Sequence, residues 1–150
     1  MTMPNSKATV TEISLPSDPG YLVRLRRIIG CLADGAGMNA SEIDDTKLAV
    51  TEACANAIRH GSPAGPTDKI TVRVSSAGGA VITEVTDQGC GFEPAEICPR
   101  VEAEPGGLGI PLMKALSDQV EFEKSGLGTT VRLVKLAKRP RARRRRNLRR

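Results

Sequence analysis

The sequence predicts an α+β fold, a two-layer sandwich in which one mixed, mostly antiparallel sheet carries three helices on one face. Three observations lead there. Segments of strand and helix character alternate in the order β-α-α-β-β-α-β-β. The last four strand-like segments form two pairs joined by the short glycine turns "AGG" and "GLG", which reads as two hairpins. The strand segments alternate apolar and polar residues while the helical ones carry a single apolar stripe, so each layer has one face to bury against the other.

"ATVTEISL", from Ala8 to Leu15, alternates as a strand. "SDPG" follows, with Ser17 as the expected N-cap and Pro19 in the first turn of a helix. Leu22, Leu25, Ile28, Ile29 and Leu32 form its stripe, and "DGAG" is the stop signal. The second helix is expected to start near Ser41, where Ser41 and Asp44 resemble a capping box, and to run to Gly61. Ile43, Leu48, Ala49, Ala53 and Ala57 would be its buried side. "KITVRVSS" and "AVITEVTD" make the first hairpin, and "GLGIPLMKALSD" the third helix, with Pro111 in its harmless first turn. "QVEFEKS" and "TTVRLVKL" make the second hairpin. Between Gly89 and Gly107 periodicity is lost and Pro94, Pro99 and Pro105 interrupt the chain, as in a functional loop.

Composition narrows the function classes. With 150 residues and 39% hydrophobic residues, one domain with its own core is expected, from 1 to 137. Trp is absent, Tyr21 stands alone and only Phe92 and Phe122 are present, so a stacking platform for single-stranded nucleic acid is not supported. No apolar run reaches membrane-spanning length and no signal peptide opens the chain, so the expected location is cytoplasmic. Cys31, Cys54, Cys90 and Cys98 lack zinc-site spacing and are expected to be reduced thiols. The net charge of +5 hides a division: residues 138–150, "KRPRARRRRNLRR", hold nine of the 22 basic residues, leaving 13 against 17 acidic ones elsewhere. That Arg-rich tail is expected to be disordered and able to contact nucleic acid nonspecifically.

Three short stretches are able to carry chemistry. In "TEACANAIRHG", Glu52 and Asn56 are four apart on one helical face, where a carboxylate and an amide oxygen can hold a hard cation or orient a nucleophile. In "DQGCGF", Asp87 ends a strand before Gly89 and Gly91, and its carboxylate can accept a hydrogen bond from an exocyclic amine such as that of adenine. In "GGLGI", Gly106, Gly107 and Gly109 open a helix whose N-terminus favours phosphate. Each alone has an ordinary alternative: a solvated helix face, a strand-end turn, a cap. The P-loop pattern, the G-x-G-x-x-G fingerprint and the eukaryotic protein kinase motifs are absent from the sequence.

Taken in order, "EACANAIRHG", "DQGCGF", "GGLGI" and "GTTVRL" resemble the N box and three glycine boxes of the GHKL ATPases, named for gyrase, the heat-shock chaperone, histidine kinases and MutL. The closer resemblance is to bacterial anti-sigma-factor serine/threonine kinases, and it covers roughly residues 8 to 136. It implies the Bergerat ATP-binding fold and ATP with Mg²⁺ as cofactors. It implies that Asp87 bonds the adenine amino group, that Gly89 and Gly91 let base and ribose pack on the backbone, and that Asn56 ligates Mg²⁺. Glu52 falls on the general base, Gly107, Leu108 and Gly109 on the phosphate-cradling loop, and residues 93–105 on the ATP lid. Thr129 or Thr130 falls near the adenine edge.

The resemblance further implies phosphoryl transfer to a Ser or Thr of an anti-sigma-factor antagonist, and sequestration of a sigma factor by a homodimer. Two alternatives stay open: an ATP-binding regulatory module without kinase activity, and a stand-alone histidine-kinase-type ATPase domain. Against the second, His60 is the only histidine and there is no room for a phosphoacceptor hairpin.

Overall fold

The computed structural model describes residues 8–88, 109–125 and 128–138. β1 (Thr9–Pro16) leads through a 3-10 turn into α1 (Leu22–Gly35), then α2 (Ala40–His60), β2 (Lys69–Ala77), β3 (Ala80–Thr86), α3 (Gly109–Leu116), β4 (Gln119–Ser125) and β5 (Gly128–Leu136). The five strands form one sheet in the order β1-β2-β3-β5-β4, and all four pairings are antiparallel. The α+β sandwich is therefore as expected, with a sheet that is antiparallel throughout rather than mixed. Gly78 and Gly79, at φ +58° and +79°, supply the two left-handed residues that a two-residue hairpin turn between β2 and β3 requires.

Alternation along the strands divides the sheet. Val72 and Val74 of β2, Val81 and Val85 of β3, and Val131 and Leu133 of β5 point into the core. They meet Leu25, Ile29 and Ala33 of α1, Ala49, Val50, Ala53, Cys54 and Ala57 of α2, and Met113 of α3. Ile28 and Leu48 are exceptions to the expected stripes, being 38% and 36% exposed. Each lies at the margin of its helix stripe, where Ala33 and Val50 occupy the inner positions instead. Burial pushes the Cys54 thiol up to about 12, so it stays protonated, while Cys31 is exposed. Among the described residues no helix is long and apolar enough to cross a membrane.

Two helix starts differ from expectation for a definable reason. The residue that caps the turn before α1 is Asp18, whose Oδ1 accepts from Gly20 N at 2.8 Å; the Ser17 hydroxyl instead donates to that of Ser62. The capping box of α2 is Asn39 with Glu42, not Ser41 with Asp44. Asn39 Oδ1 accepts from Glu42 N at 2.8 Å and Glu42 Oε2 accepts from Asn39 N at 3.0 Å. Glutamate has the reach for that return bond, and the box starts the helix at Ala40.

Glu42 has a second duty. Its Oε1 accepts from Lys138 N at 3.0 Å, tying the end of β5 to the start of α2. The Lys138 and Asn39 amides, aided by the charges of Lys135 and Lys138, hold its carboxyl below the usual carboxylate range, against the opposing effect of burial. A lowered folded-state value means that the stabilisation is present above the ordinary value of 4.5 and is lost as pH falls through the folded value. Glu42→Gln should therefore lose about 0.5–1.5 kcal/mol at neutral pH, the net worth of one part-buried hydrogen bond. Its deficit relative to wild type should shrink in acid, read from urea unfolding at pH 7 and pH 3.

Candidate functional site

The second half of α2 lies between the end of β3, the start of β5 and the first turn of α3, because its small residues Ala53 and Ala57 allow close approach. Asn56 is 9% exposed, and Glu52, one turn earlier, is half-buried. Gly109, the first residue of α3, sits directly over them. A Cβ on Gly109 would lie 3.2 Å from Glu52 Oε2 and 3.4 Å from both Asn56 side-chain polar atoms. One carboxylate, one amide and the N-terminus of a helix thus converge at this end.

Asp87 forms the other end. It follows β3, is 8% exposed, and is bonded to β5 twice: its N–H donates to Thr129 O at 3.0 Å, and its Oδ1 accepts from Thr129 N at 3.1 Å. Two glycines make room for it. A Cβ on Gly61, the residue that ends α2, would overlap the Asp87 carboxyl, and one on Gly128 would overlap the Asp87 carbonyl. Neither glycine has a left-handed φ, so close approach alone explains them. Ser62 donates its hydroxyl to Ala57 O at 3.0 Å, beside the Gly61 amide that bonds the same carbonyl at 2.9 Å, which anchors the turn against Asp87.

The two threonines separate by strand alternation. Thr129 faces the helices, is 1% exposed, and its hydroxyl is the one buried side-chain polar atom without a hydrogen-bond partner among the described residues. Thr130 faces the opposite side, where its hydroxyl bonds that of Thr86 at 2.9 Å. The structure thus brings together Glu52, Asn56 and Gly109 at one end, and Asp87 with Thr129 at the other. Asn56 and Gly61 are five residues apart on α2, so roughly 7–8 Å of helix separates the ends. Gly89, Gly91, Gly107 and Leu108, with the loop 93–105, lie outside the described residues. The sequence places Gly61 at the end of the N box and Gly128 at the start of the third glycine box, but as a cap and a turn, with no contact to Asp87 assigned to either.

A strand-end carboxylate, a helix-borne Glu and Asn, and a helix N-terminus over them thus line one side of α2, on a five-stranded antiparallel sheet. The family model for the histidine kinase-like ATPase domain matches residues 15–135, and the chain belongs to that family. Within it, this chain is 30% identical over 146 residues to the serine-protein kinase RsbW of Bacillus licheniformis, covering 89% of each chain. It is 33% identical over 117 residues to the anti-sigma F factor of Thermoanaerobacter sp. (strain X514), covering 73% of this chain and 81% of that one. These relatives place it in the RsbW serine kinase and anti-sigma factor branch. The solved RsbU and RsbW domains of Rv1364c from Mycobacterium tuberculosis share its fold, with a TM-score of 0.67 at 23% identity over 88% of this chain. This chain spans 33% of that longer one.

Proposed function

We propose that the chain binds ATP with Mg²⁺, transfers the γ-phosphoryl group to a Ser or Thr hydroxyl of an anti-sigma-factor antagonist, and as a homodimer sequesters a sigma factor. The observation that carries this reading is the two-ended site along α2, a buried strand-end carboxylate at one end and a Glu–Asn pair under a helix N-terminus at the other. The residues present fit the ligands. Asp87, held by Gly61 and Gly128, would accept from the adenine amino group, and the unpartnered Thr129 hydroxyl faces the same end, which favours Thr129 over Thr130. Asn56 would hold Mg²⁺ through its amide oxygen; the ion supplies charge neutralisation for the phosphates when bound.

The work left to the protein is positioning. Glu52 would accept the proton of the attacking hydroxyl, and the α3 N–H groups beginning at Gly109 would stabilise charge on the transferring phosphoryl group. Gly107 and Leu108 belong to the same proposed phosphate loop, and Gly89 and Gly91 to the proposed wall beside the base and ribose. Residues 1–137 would be the ATPase domain and 138–150 a separate basic tail. The relatives' names support the kinase activity and the sigma factor: one is a serine-protein kinase and the other an anti-sigma F factor.

Calorimetric titration with ATP and Mg²⁺, run in parallel on Asp87→Asn, tests the reading. Saturable, Mg²⁺-dependent binding that the variant loses is the expected result. Folded wild-type protein that takes up no ATP would reject it.

A further inference from the structure

The face of the sheet turned away from the helices is uncovered by any described element, and it carries charge in register. Glu12, Arg73, Glu84, Arg132 and Glu121 stand side by side across the five strands, so opposite charges alternate. Over β3, β5 and β4 this row opens into a groove of about 320 Å³ lined by Glu84, Glu121, Phe122, Glu123, Thr130 and Arg132. The lining holds three carboxylates and one guanidinium, with Arg73 of β2 beside Glu84. Arg132 reaches Glu121 at 3.5 Å and Glu84 at 3.8 Å, longer than the roughly 2.7–2.9 Å of a tight charge-assisted bond. The groove lining therefore carries an excess of negative charge.

The carboxylates near the end of β5 are already engaged. Glu42 accepts from Lys138 N, Asp45 pairs with Lys135 Nζ at 3.1 Å, and Asp118 accepts from Leu136 N at 2.7 Å. What the groove lacks, the chain itself supplies: residues 139–150 contain eight arginines and no acidic residue. The bond from Lys138 to Glu42 fixes where that segment departs. Returning along β5 to Arg132 takes about 20 Å, and twelve extended residues reach roughly 40 Å.

We propose that the groove of Glu84, Glu121 and Glu123 is the docking site of this chain's own Arg-rich segment, residues 139–150. Guanidinium groups suit it because their planar forks pair with carboxylates two bonds at a time. An arginine held there is withdrawn from any polyanion, so the groove and a phosphate backbone compete for one segment. The assignment rests on charge and reach and is independent of phosphoryl transfer.

Amide spectra of the full-length chain test it, compared with full-length R143Q/R144Q/R145Q/R146Q, whose folded body is unchanged. Wild type should differ from the variant at Glu84, Glu121, Glu123 and Thr130. The difference should fade between about 0.05 and 0.5 M salt, as the Debye length falls from roughly 14 to 4 Å. In a second measurement, full-length E121Q/E123Q should be cut by trypsin within 139–150 about 3- to 10-fold faster than wild type at low salt. Coincident groove resonances in the two chains would overturn the proposal, as would equal cleavage rates. Differences that grow with protein concentration would assign the groove to another molecule's tail, and would equally overturn docking within one chain.

Discussion

Gly61→Ala should weaken ATP binding by roughly 10- to 150-fold, the equivalent of losing a hydrogen bond to a charged group worth about 1.5–3 kcal/mol. The reason is steric. The added methyl occupies the space of the Asp87 carboxyl, and Asp87 is fixed from the other side by its two bonds to Thr129, so it has to turn away from the position where it would meet adenine. Overpacking of this kind also costs about 1–3 kcal/mol of stability. The control is Gly35→Ala in α1, where no atom lies within 4 Å of the new Cβ. That variant should bind ATP as wild type does and change stability by less than about 0.5 kcal/mol, because Gly35 is the last residue of α1. Calorimetry for affinity and urea titration for stability separate the two effects. Equal ATP affinity in Gly61→Ala and wild type would mean that Asp87 does not recognise the base.

The layer order was legible because each element declares its own period: Val72, Val74, Val81 and Val85 alternate, while Leu25, Ile29 and Ala33 follow the helical repeat. What escaped was tertiary. Whether Ile28 or Ala33 faces the sheet is decided by where the helix axis rests, and both choices satisfy a three-or-four spacing. The capping box is instead local: Asn39–Glu42 and Ser41–Asp44 overlap in sequence, and glutamate, with the reach for the return bond to the Asn39 amide, selects the first. Within the site, Glu52 with Asn56 was legible because a four-residue spacing puts both on one face. The closeness of Asp87 to Gly61 and Gly128 was not, since it joins three elements remote in sequence. The choice between Thr129 and Thr130 depended on the register of β5 against β3, which a two-residue string cannot carry.

Glu52→Gln should leave ATP affinity within about twofold and lower phosphoryl transfer by roughly 10² to 10⁴, the usual contribution of a positioned general base. Glutamine keeps the volume that packs beneath Gly109 and keeps an acceptor oxygen, so the helix contact and the adjacent Asn56 are preserved. It removes only the ability to take up a proton. Transfer from labelled ATP to a candidate antagonist, measured in single turnover, reports that step without interference from product release. Asn56→Ala serves as the contrast, because removing the amide oxygen should impair Mg²⁺-dependent binding itself. If Glu52→Gln transfers at the wild-type rate, the hydroxyl loses its proton elsewhere and Glu52 acts only as a wall of the site. If it loses ATP binding as well, its carboxylate orders the phosphate end before any hydroxyl arrives, because a base needed only for proton uptake leaves ground-state affinity untouched.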